Sequence, residues 1–260
     1  MKKLLGQIRY YFCRLFWKKQ GFPLFWYYGS FQNQLEETKG HVDIYHVCPW
    51  EGDVCGKVKA AGEAGLQVML TGPDAGHELI ITLEKLSKLD LLKYVKYLYV
   101  QDEPNLGNAP NIRAVKSLVK QFEFDPKYVV IYSGQNSNYI DIEEYDFVGV
   151  DDYYAKEGVL NTKVLDLRKR LNDRQKLVLV PGGCSPYRQD PAPFYKRAME
   201  DDKIGMVCAF TWFDPQVPDR DFSAGIRSNG MADLNFSTSS WVNSFPPYIL
   251  LKIDLISASV

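Results

Sequence analysis

Eight short apolar runs, each followed by polar or turn-forming residues, are the feature that most restricts the fold of this chain. The runs are rich in β-branched and aromatic residues, which is typical of strands buried on both faces of a parallel sheet. Helical patterns or short connectors separate them. This alternation predicts an α/β fold, a single (β/α)8 (TIM) barrel, with strands near residues 22–29, 41–47, 66–71, 96–101, 128–132, 147–150, 177–180 and 204–212.

The length of the chain agrees with one barrel and no second domain. The chain has 260 residues, and barrels of this kind commonly take about 250. No shift in composition marks a domain boundary, so we expect a barrel over residues 21–245 and a C-terminal tail over 246–260 of unassigned role. A doubly wound open sheet is the alternative fold, but the phosphate-binding first turn that often accompanies it is missing.

Residues 1–20 form a separate N-terminal segment in this interpretation. Within it, residues 2–17 place apolar side chains on one helical face, whereas Lys2, Lys3, Arg9 and Arg14 lie on the other. Such a basic amphipathic helix is able to lie on an anionic membrane surface. That face favours an exported or membrane-associated location over a cytoplasmic one. The alternative is a helix that closes the bottom of the barrel.

Composition and motifs exclude several classes of function. The formal net charge of -1 argues against a nucleic-acid-binding protein. No GxGxxG and no Walker A motif occurs, so we expect no nucleotide cofactor. With only three histidines, His41, His46 and His77, we expect no metal centre. Cys48 and Cys55 are close enough in sequence to form a bridge in an exported protein, and buried free thiols are the alternative.

Acidic, amide and aromatic residues collect where the predicted strands end. The fourth strand is the clearest case, because it stops at Asp102-Glu103 and Pro104 then prevents extension of the ladder. Ligands bind at the carboxyl ends of the strands in barrels and in open α/β sheets. We therefore expect a binding cleft for carbohydrate, with 17 Tyr, 14 Phe and 5 Trp in the chain to supply stacking rings. Its predicted substrate-binding residues are Tyr28, His46, Trp50, Asp102, Gln135, Asn136, Tyr153, Trp212 and Asp214.

The run Asp102-Glu103-Pro104-Asn105 resembles the Asn-Glu-Pro signature on strand four of the large retaining clan of (β/α)8 glycoside hydrolases. In that clan the glutamate is the general acid/base, and the resemblance implies this role for Glu103. Trp212 is similar in position to the sugar-stacking tryptophan of the family. Residues 225–230 resemble the turn that often precedes the last helix of the clan.

One departure from the clan pattern concerns the second carboxylate. The clan carries a glutamate nucleophile at the end of strand seven, whereas here that strand ends Val180-Pro181-Gly182-Gly183. Asp152 and Asp151, after strand six, are the first candidates for a catalytic partner, and Asp214 follows them. Strands four and six are not neighbours, which favours a wide gap between the carboxyl groups and thus inversion.

The sequence thus predicts a hydrolase acting on O-glycosyl bonds of a polysaccharide or glycoconjugate, with Glu103 as general acid. The alternative is a noncatalytic carbohydrate-binding barrel, a degenerate hydrolase that uses the same aromatic cleft. Each of these candidates also has an explanation without function. Asp151 and Asp152 would be a solvated pair in a loop, and Trp212 and His46 would be core residues. A second carboxylate facing Glu103 is the feature that separates the two functions.

Overall fold

The computed structural model describes residues 24–28, 35–39, 42–49, 52–71, 77–134, 139–151, 162–182, 194, 197–198 and 200–210. The predicted N-terminal helix, residues 2–17, and the predicted tail, residues 246–260, lie outside them. The membrane contact that we expect from residues 2–17 therefore stays a prediction. Within the described part of the chain, no helix is long and apolar enough to cross a membrane.

All eight predicted strands are present, and the apolar runs explain them because most strand residues with a described side chain are buried. The strands are β1 Leu24–Tyr28, β2 Ile44–Val47, β3 Gln67–Thr71, β4 Val95–Asp102, β5 Lys127–Ser133, β6 Phe147–Asp151, β7 Lys176–Leu179 and β8 Ile204–Phe210. The helices between them are α1 Leu35–Thr38, α2 Val54–Glu63, α3 His77–Lys88, α4 Ile112–Val119 and α5 Thr162–Arg170.

Local capping chemistry sets the helix boundaries. At the start of α2, the carboxylate of Asp53 accepts a hydrogen bond from the Gly56 N–H at 2.9 Å. Leucine and isoleucine residues at three- and four-residue spacing predict a helix over residues 78–93. That prediction is too long at its carboxyl end, because Asp90 takes a left-handed conformation with φ 55°. The Leu91 N–H then bonds to the Leu86 carbonyl at 2.8 Å, which is the pattern of a Schellman end. The helix therefore stops at Lys88.

The eight strands form one parallel sheet in the order β1-β8-β7-β6-β5-β4-β3-β2. The two strands at the ends of this order, β1 and β2, contact one another, so the sheet is curled. Because all strands run in the same direction, their carboxyl ends meet at a single edge. We call this the carboxyl edge.

Alternation along the strands divides the core into two layers. The outer face of the sheet packs against the helices in one large apolar cluster. The inner face carries a second cluster, whose buried members are Trp26, Ile44, Met69, Tyr97, Tyr99, Val129, Ile131, Val178, Val180, Met206 and Cys208.

The inner layer is tightly filled rather than hollow. A Cβ atom placed on Gly149 would lie 3.0 Å from the Val178 Cβ and 3.2 Å from the Ile131 Cγ1. Glycine at this position permits the close approach of β6 to its neighbours. The described side chains of the inner face thus pack closely around Gly149.

Candidate active site at the carboxyl edge

Register places polar side chains of β2 to β6 near the carboxyl edge. His46 and Thr71 follow the inner-face residues Ile44 and Met69 by two positions, so they lie on the inner face as well. Asp102 is paired with Ile131, which belongs to the inner cluster. The curled sheet thus gathers groups from distant parts of the sequence at one edge.

Three aromatic rings support this edge from below. Trp26 and His46 meet edge to face with ring centroids 5.3 Å apart, and Tyr99 lies 6.0 Å from each of them. All three side chains are buried. Such pairs stabilise a core beyond the area that they bury, so the rings form a rigid base for the groups above them.

His46 is fully buried, with 0% of its surface exposed. Burial disfavours the charged imidazolium and lowers the pKa of His46 to about 3. A hydrogen bond joins its Nε2 atom to the Thr71 hydroxyl. The side chain is therefore a neutral, hydrogen-bonded imidazole at neutral pH.

A β-bulge sets the position of Asp102. Tyr99 pairs with Val129 and Asp102 pairs with Ile131, so three steps along β4 match two steps along β5. The Tyr99 hydroxyl donates a hydrogen bond to the Asp102 carboxylate. Asp102 as a residue is exposed, so Tyr99 anchors a side chain that lies at the surface of the carboxyl edge.

Glu103 lies at the turn that leaves β4. Its N–H donates to the Ile131 carbonyl at 3.0 Å, and its φ of 46° is left-handed. For a residue with a Cβ this conformation is uncommon and costs roughly 1 kcal/mol. The next turn is ordered, because the Asn105 side-chain oxygen accepts a hydrogen bond from the Gly107 N–H at 2.8 Å. The exposed carboxyl group of Glu103 thus extends from a well-defined backbone.

Asp151 supplies a second carboxylate on the inner face. It ends β6 opposite Ser133 of β5, two positions beyond the pair that Ile131 makes with Gly149. Its side chain is 7% exposed and accepts a hydrogen bond from the Gly134 N–H at 3.2 Å. One strand, β5, lies between Asp151 on β6 and Asp102 on β4, so the axes of β4 and β6 are roughly 10 Å apart.

Of the other predicted site residues, the structure describes only the backbone of Tyr28. This residue ends β1 and pairs with Phe210 of β8, so Tyr28 is at the carboxyl edge. The other predicted site residues lie outside the described part of the chain: Trp50, Gln135, Asn136, Asp152, Tyr153, Trp212 and Asp214.

The sequence interpretation missed Tyr99, Thr71 and Gln101. Gln101 is 8% exposed, and its amide oxygen accepts no hydrogen bond from the part of the chain that the structure describes. A buried amide oxygen without a donor is unfavourable. The sequence does contain a signal for Gln101. It is a polar residue in a mainly apolar strand, and it directly precedes the acidic pair Asp102-Glu103.

A separate groove lies beside the loop after β4, outside the inner face. It has a volume of about 640 Å³, and its lining includes Leu106, Pro110, Asn111, Arg113 and Asp141. Neither Asp102 nor Glu103 lines it. We therefore place the candidate active site at the carboxyl edge and not in this groove.

The remaining chemistry of the described chain is simple. No disulfide bond joins Cys48 and Cys55 in this structure. Among the described residues, no group of three or more His, Cys, Asp or Glu side chains is arranged to hold a metal ion. The arrangement at the carboxyl edge is thus one of carboxylates, hydroxyl groups and aromatic rings.

Comparison with known proteins finds similarity only at the level of structure. No protein-family model matches the sequence, and no curated protein is significantly similar to it. An active-site mutant of the β-1,3-glucanosyltransferase of Rhizomucor miehei, solved with laminaritriose, is 16% identical with a TM-score of 0.50. That match covers 80% of this chain and 93% of the other.

Two further solved structures have similar shapes. CbXyn10B in its native form is 10% identical with a TM-score of 0.52, over 85% of this chain and 96% of the other. A family 1 β-glucosidase from Thermotoga maritima, in complex with isofagomine lactam, is 10% identical with a TM-score of 0.48, over 82% and 87%. At these identities the likeness shows the fold alone. The β-1,3-glucanosyltransferase and CbXyn10B are thus among the proteins that resemble this chain in fold.

Proposed function

We propose that the curled sheet closes into a full (β/α)8 barrel and that the protein is a glycoside hydrolase acting on a polysaccharide or glycoconjugate. One observation carries the proposal. An acidic pair at the end of β4, Asp102 and Glu103, shares the carboxyl edge with a second inner-face carboxylate, Asp151, on β6. Glycosidic bond cleavage needs two such groups, one as acid and one as base or nucleophile. The overall shape shared with carbohydrate-active barrels supports this interpretation.

Glu103 is the general acid in this mechanism and protonates the oxygen of the leaving group. Asp151, or Asp152 after it, is the partner that activates water or attacks the anomeric carbon. The strand between β4 and β6 favours a gap wide enough to hold a water molecule, which corresponds to inversion. Asp102 binds a substrate hydroxyl, because an ionised carboxylate only accepts hydrogen bonds and a sugar offers many donors.

The test is hydrolysis by Glu103→Gln, which keeps the shape of the side chain and removes its proton. Reducing ends are measured after incubation with a panel of soluble β-linked glucans, xylans and N-acetylglucosamine oligomers, including laminaritriose. We expect Glu103→Gln to lose at least 100-fold in activity, which is the usual contribution of a general acid. Full activity in this variant refutes the mechanism.

Glu123→Gln is the matched control for that experiment. Glu123 is also exposed and left-handed, with φ 53°, but it precedes β5 and therefore lies toward the opposite edge of the sheet. Its replacement is expected to leave hydrolysis unchanged. The comparison therefore separates loss of the acid from a general effect of replacing a glutamate at a strained turn.

A noncatalytic carbohydrate-binding barrel is the second candidate, and one observation favours it. The end of strand seven, Val180-Pro181-Gly182, has no carboxylate where the clan carries its nucleophile. Binding of the same oligosaccharides by the parent protein, with no release of reducing ends, supports this candidate. Glu103→Gln then binds as tightly as the parent.

A further inference from the structure

We infer that Tyr99 is a positioning residue, which holds Asp102 in the orientation that a carbohydrate ligand meets at the carboxyl edge. This inference rests on the proposed function, since it names a part of the same site. Tyr99 lies inside β4, three residues before Asp102. The register of β4, the packing of the Tyr99 ring and the exposure of Asp102 support this role.

The register shows why these two residues are able to meet. In a regular strand, residues three positions apart point to opposite faces and lie about 10 Å apart. In β4, however, the bulge between Tyr99 and Asp102 adds one residue relative to β5. Both residues therefore pair with members of the inner cluster, Val129 and Ile131. The bulge puts Tyr99 and Asp102 on one face, and the hydroxyl of Tyr99 reaches the carboxylate.

The packing of Tyr99 makes it a fixed donor. Its side chain is fully buried, and its ring contacts Trp26 and His46 edge to face. A ring held on several sides keeps its hydroxyl in one place. The entropy of orienting Asp102 is therefore lost during folding and not during ligand binding, which is the general advantage of a preorganised site.

The chemistry of the pair defines what it recognises. An ionised carboxylate has about four acceptor positions, and Tyr99 occupies one on Oδ1. Asp102 is an exposed residue, and a carboxylate held in this way accepts hydrogen bonds from a ligand that carries donors in fixed geometry. Adjacent sugar hydroxyl groups are such a set. Tyr99 thus acts on the ligand through Asp102 and does not itself need to touch it.

Tyr99→Phe tests the inference, and Tyr97→Phe is its matched control. Tyr97 is two residues earlier on the same strand and in the same inner cluster, and its hydroxyl donates to Gln67 at 2.8 Å toward the amino edge. Both variants keep a packed ring and lose one buried hydrogen bond. Affinity for the tightest-binding member of the oligosaccharide panel is measured by calorimetry on each folded variant. We expect Tyr99→Phe to bind roughly 3- to 10-fold more weakly and Tyr97→Phe to bind as the parent does.

A double-mutant cycle separates positioning from a merely structural effect. If Tyr99 acts through Asp102, Tyr99→Phe has no further effect on affinity once Asp102 is replaced by alanine. An equal loss in the Asp102→Ala background overturns the inference, and so does parent-like binding by Tyr99→Phe. The proposed function fails in a different way. If the parent protein neither binds nor cleaves any member of the panel, the proposed function and the inference both fall.

Discussion

Replacing the buried imidazole of His46 with glutamine is expected to remove a pH-dependent loss of stability. The pKa of His46 is lowered to about 3 because burial disfavours its charged form. In the unfolded chain its pKa returns to about 6.5. Between these two values the unfolded state binds a proton that the folded state does not bind. The free energy of unfolding therefore falls as the pH falls from 6.5 toward 3.

The size of the effect follows from the two pKa values. One bound proton changes the free energy of unfolding by about 1.4 kcal/mol per pH unit. Between pH 6.5 and pH 4.5 the parent protein should thus lose about 2–3 kcal/mol through His46 alone. Glu144 affects the free energy of unfolding in a lower pH range. The hydrogen bond from Arg113 lowers the pKa of Glu144 below the ordinary 4.5, so its stabilisation is lost only as the pH falls further.

Urea denaturation at pH 7.5, 6.5, 5.5 and 4.5 measures this effect. His46→Gln keeps a hydrogen-bonding group for Thr71 but does not titrate, so its unfolding free energy should be nearly flat above pH 4.5. Its absolute stability is not the readout, because the slope with pH is independent of it. The parent protein, measured over the same pH range, is the reference. A parent-like slope in His46→Gln refutes the assignment of a buried neutral imidazole.

Two further predictions concern β4 and the turn after it. Gln101→Met should raise the free energy of unfolding by about 1 kcal/mol, since it removes a buried amide oxygen that accepts no hydrogen bond within the described chain. Urea denaturation measures this change, and a decrease of that size contradicts the prediction. Glu103→Gly and Glu123→Gly should each stabilise by roughly 0.5–1 kcal/mol, because glycine tolerates the left-handed backbone that both residues adopt. Only Glu103→Gly should abolish hydrolysis in the reducing-end assay, and loss of activity in both variants counts against a specific role of Glu103.

The strand layout was predictable from the sequence because burial on both faces leaves a strong local signal. Each apolar run is short, is bounded by glycine, proline or acidic residues, and became one strand of the parallel sheet. The same kind of signal misled at the end of α3. Leu91 and Leu92 continue the helical spacing, but the left-handed Asp90 ends the helix before them. Apolar periodicity reports burial, and it does not report the turn chemistry that stops a helix.

Burial at the edge of the sheet was less predictable, since it depends on pairs that are distant in sequence. Alternation places His46 on the same face as Ile44, and the sequence interpretation left both a binding role and a core position open. Complete burial of His46 results from Trp26 and Tyr99, which come from two other strands. No local pattern indicates that these three rings meet. The curled sheet brings them together, and the pKa of His46 follows from that packing.

The register of β4 against β5 explains why the roles of the acidic pair cannot be derived from sequence alternation. Counting regular positions from Tyr97 and Tyr99 places Glu103 on the inner face and Asp102 on the outer face. The bulge reverses this count for Asp102, which instead pairs with Ile131. Glu103 then follows in a left-handed turn, where alternation no longer applies. Asp102, which the sheet anchors, and Glu103, which lies in a turn, are thus adjacent in sequence. In the mechanism that we propose, Asp102 is the fixed hydrogen-bond acceptor and Glu103 is the general acid, so the two residues have different roles.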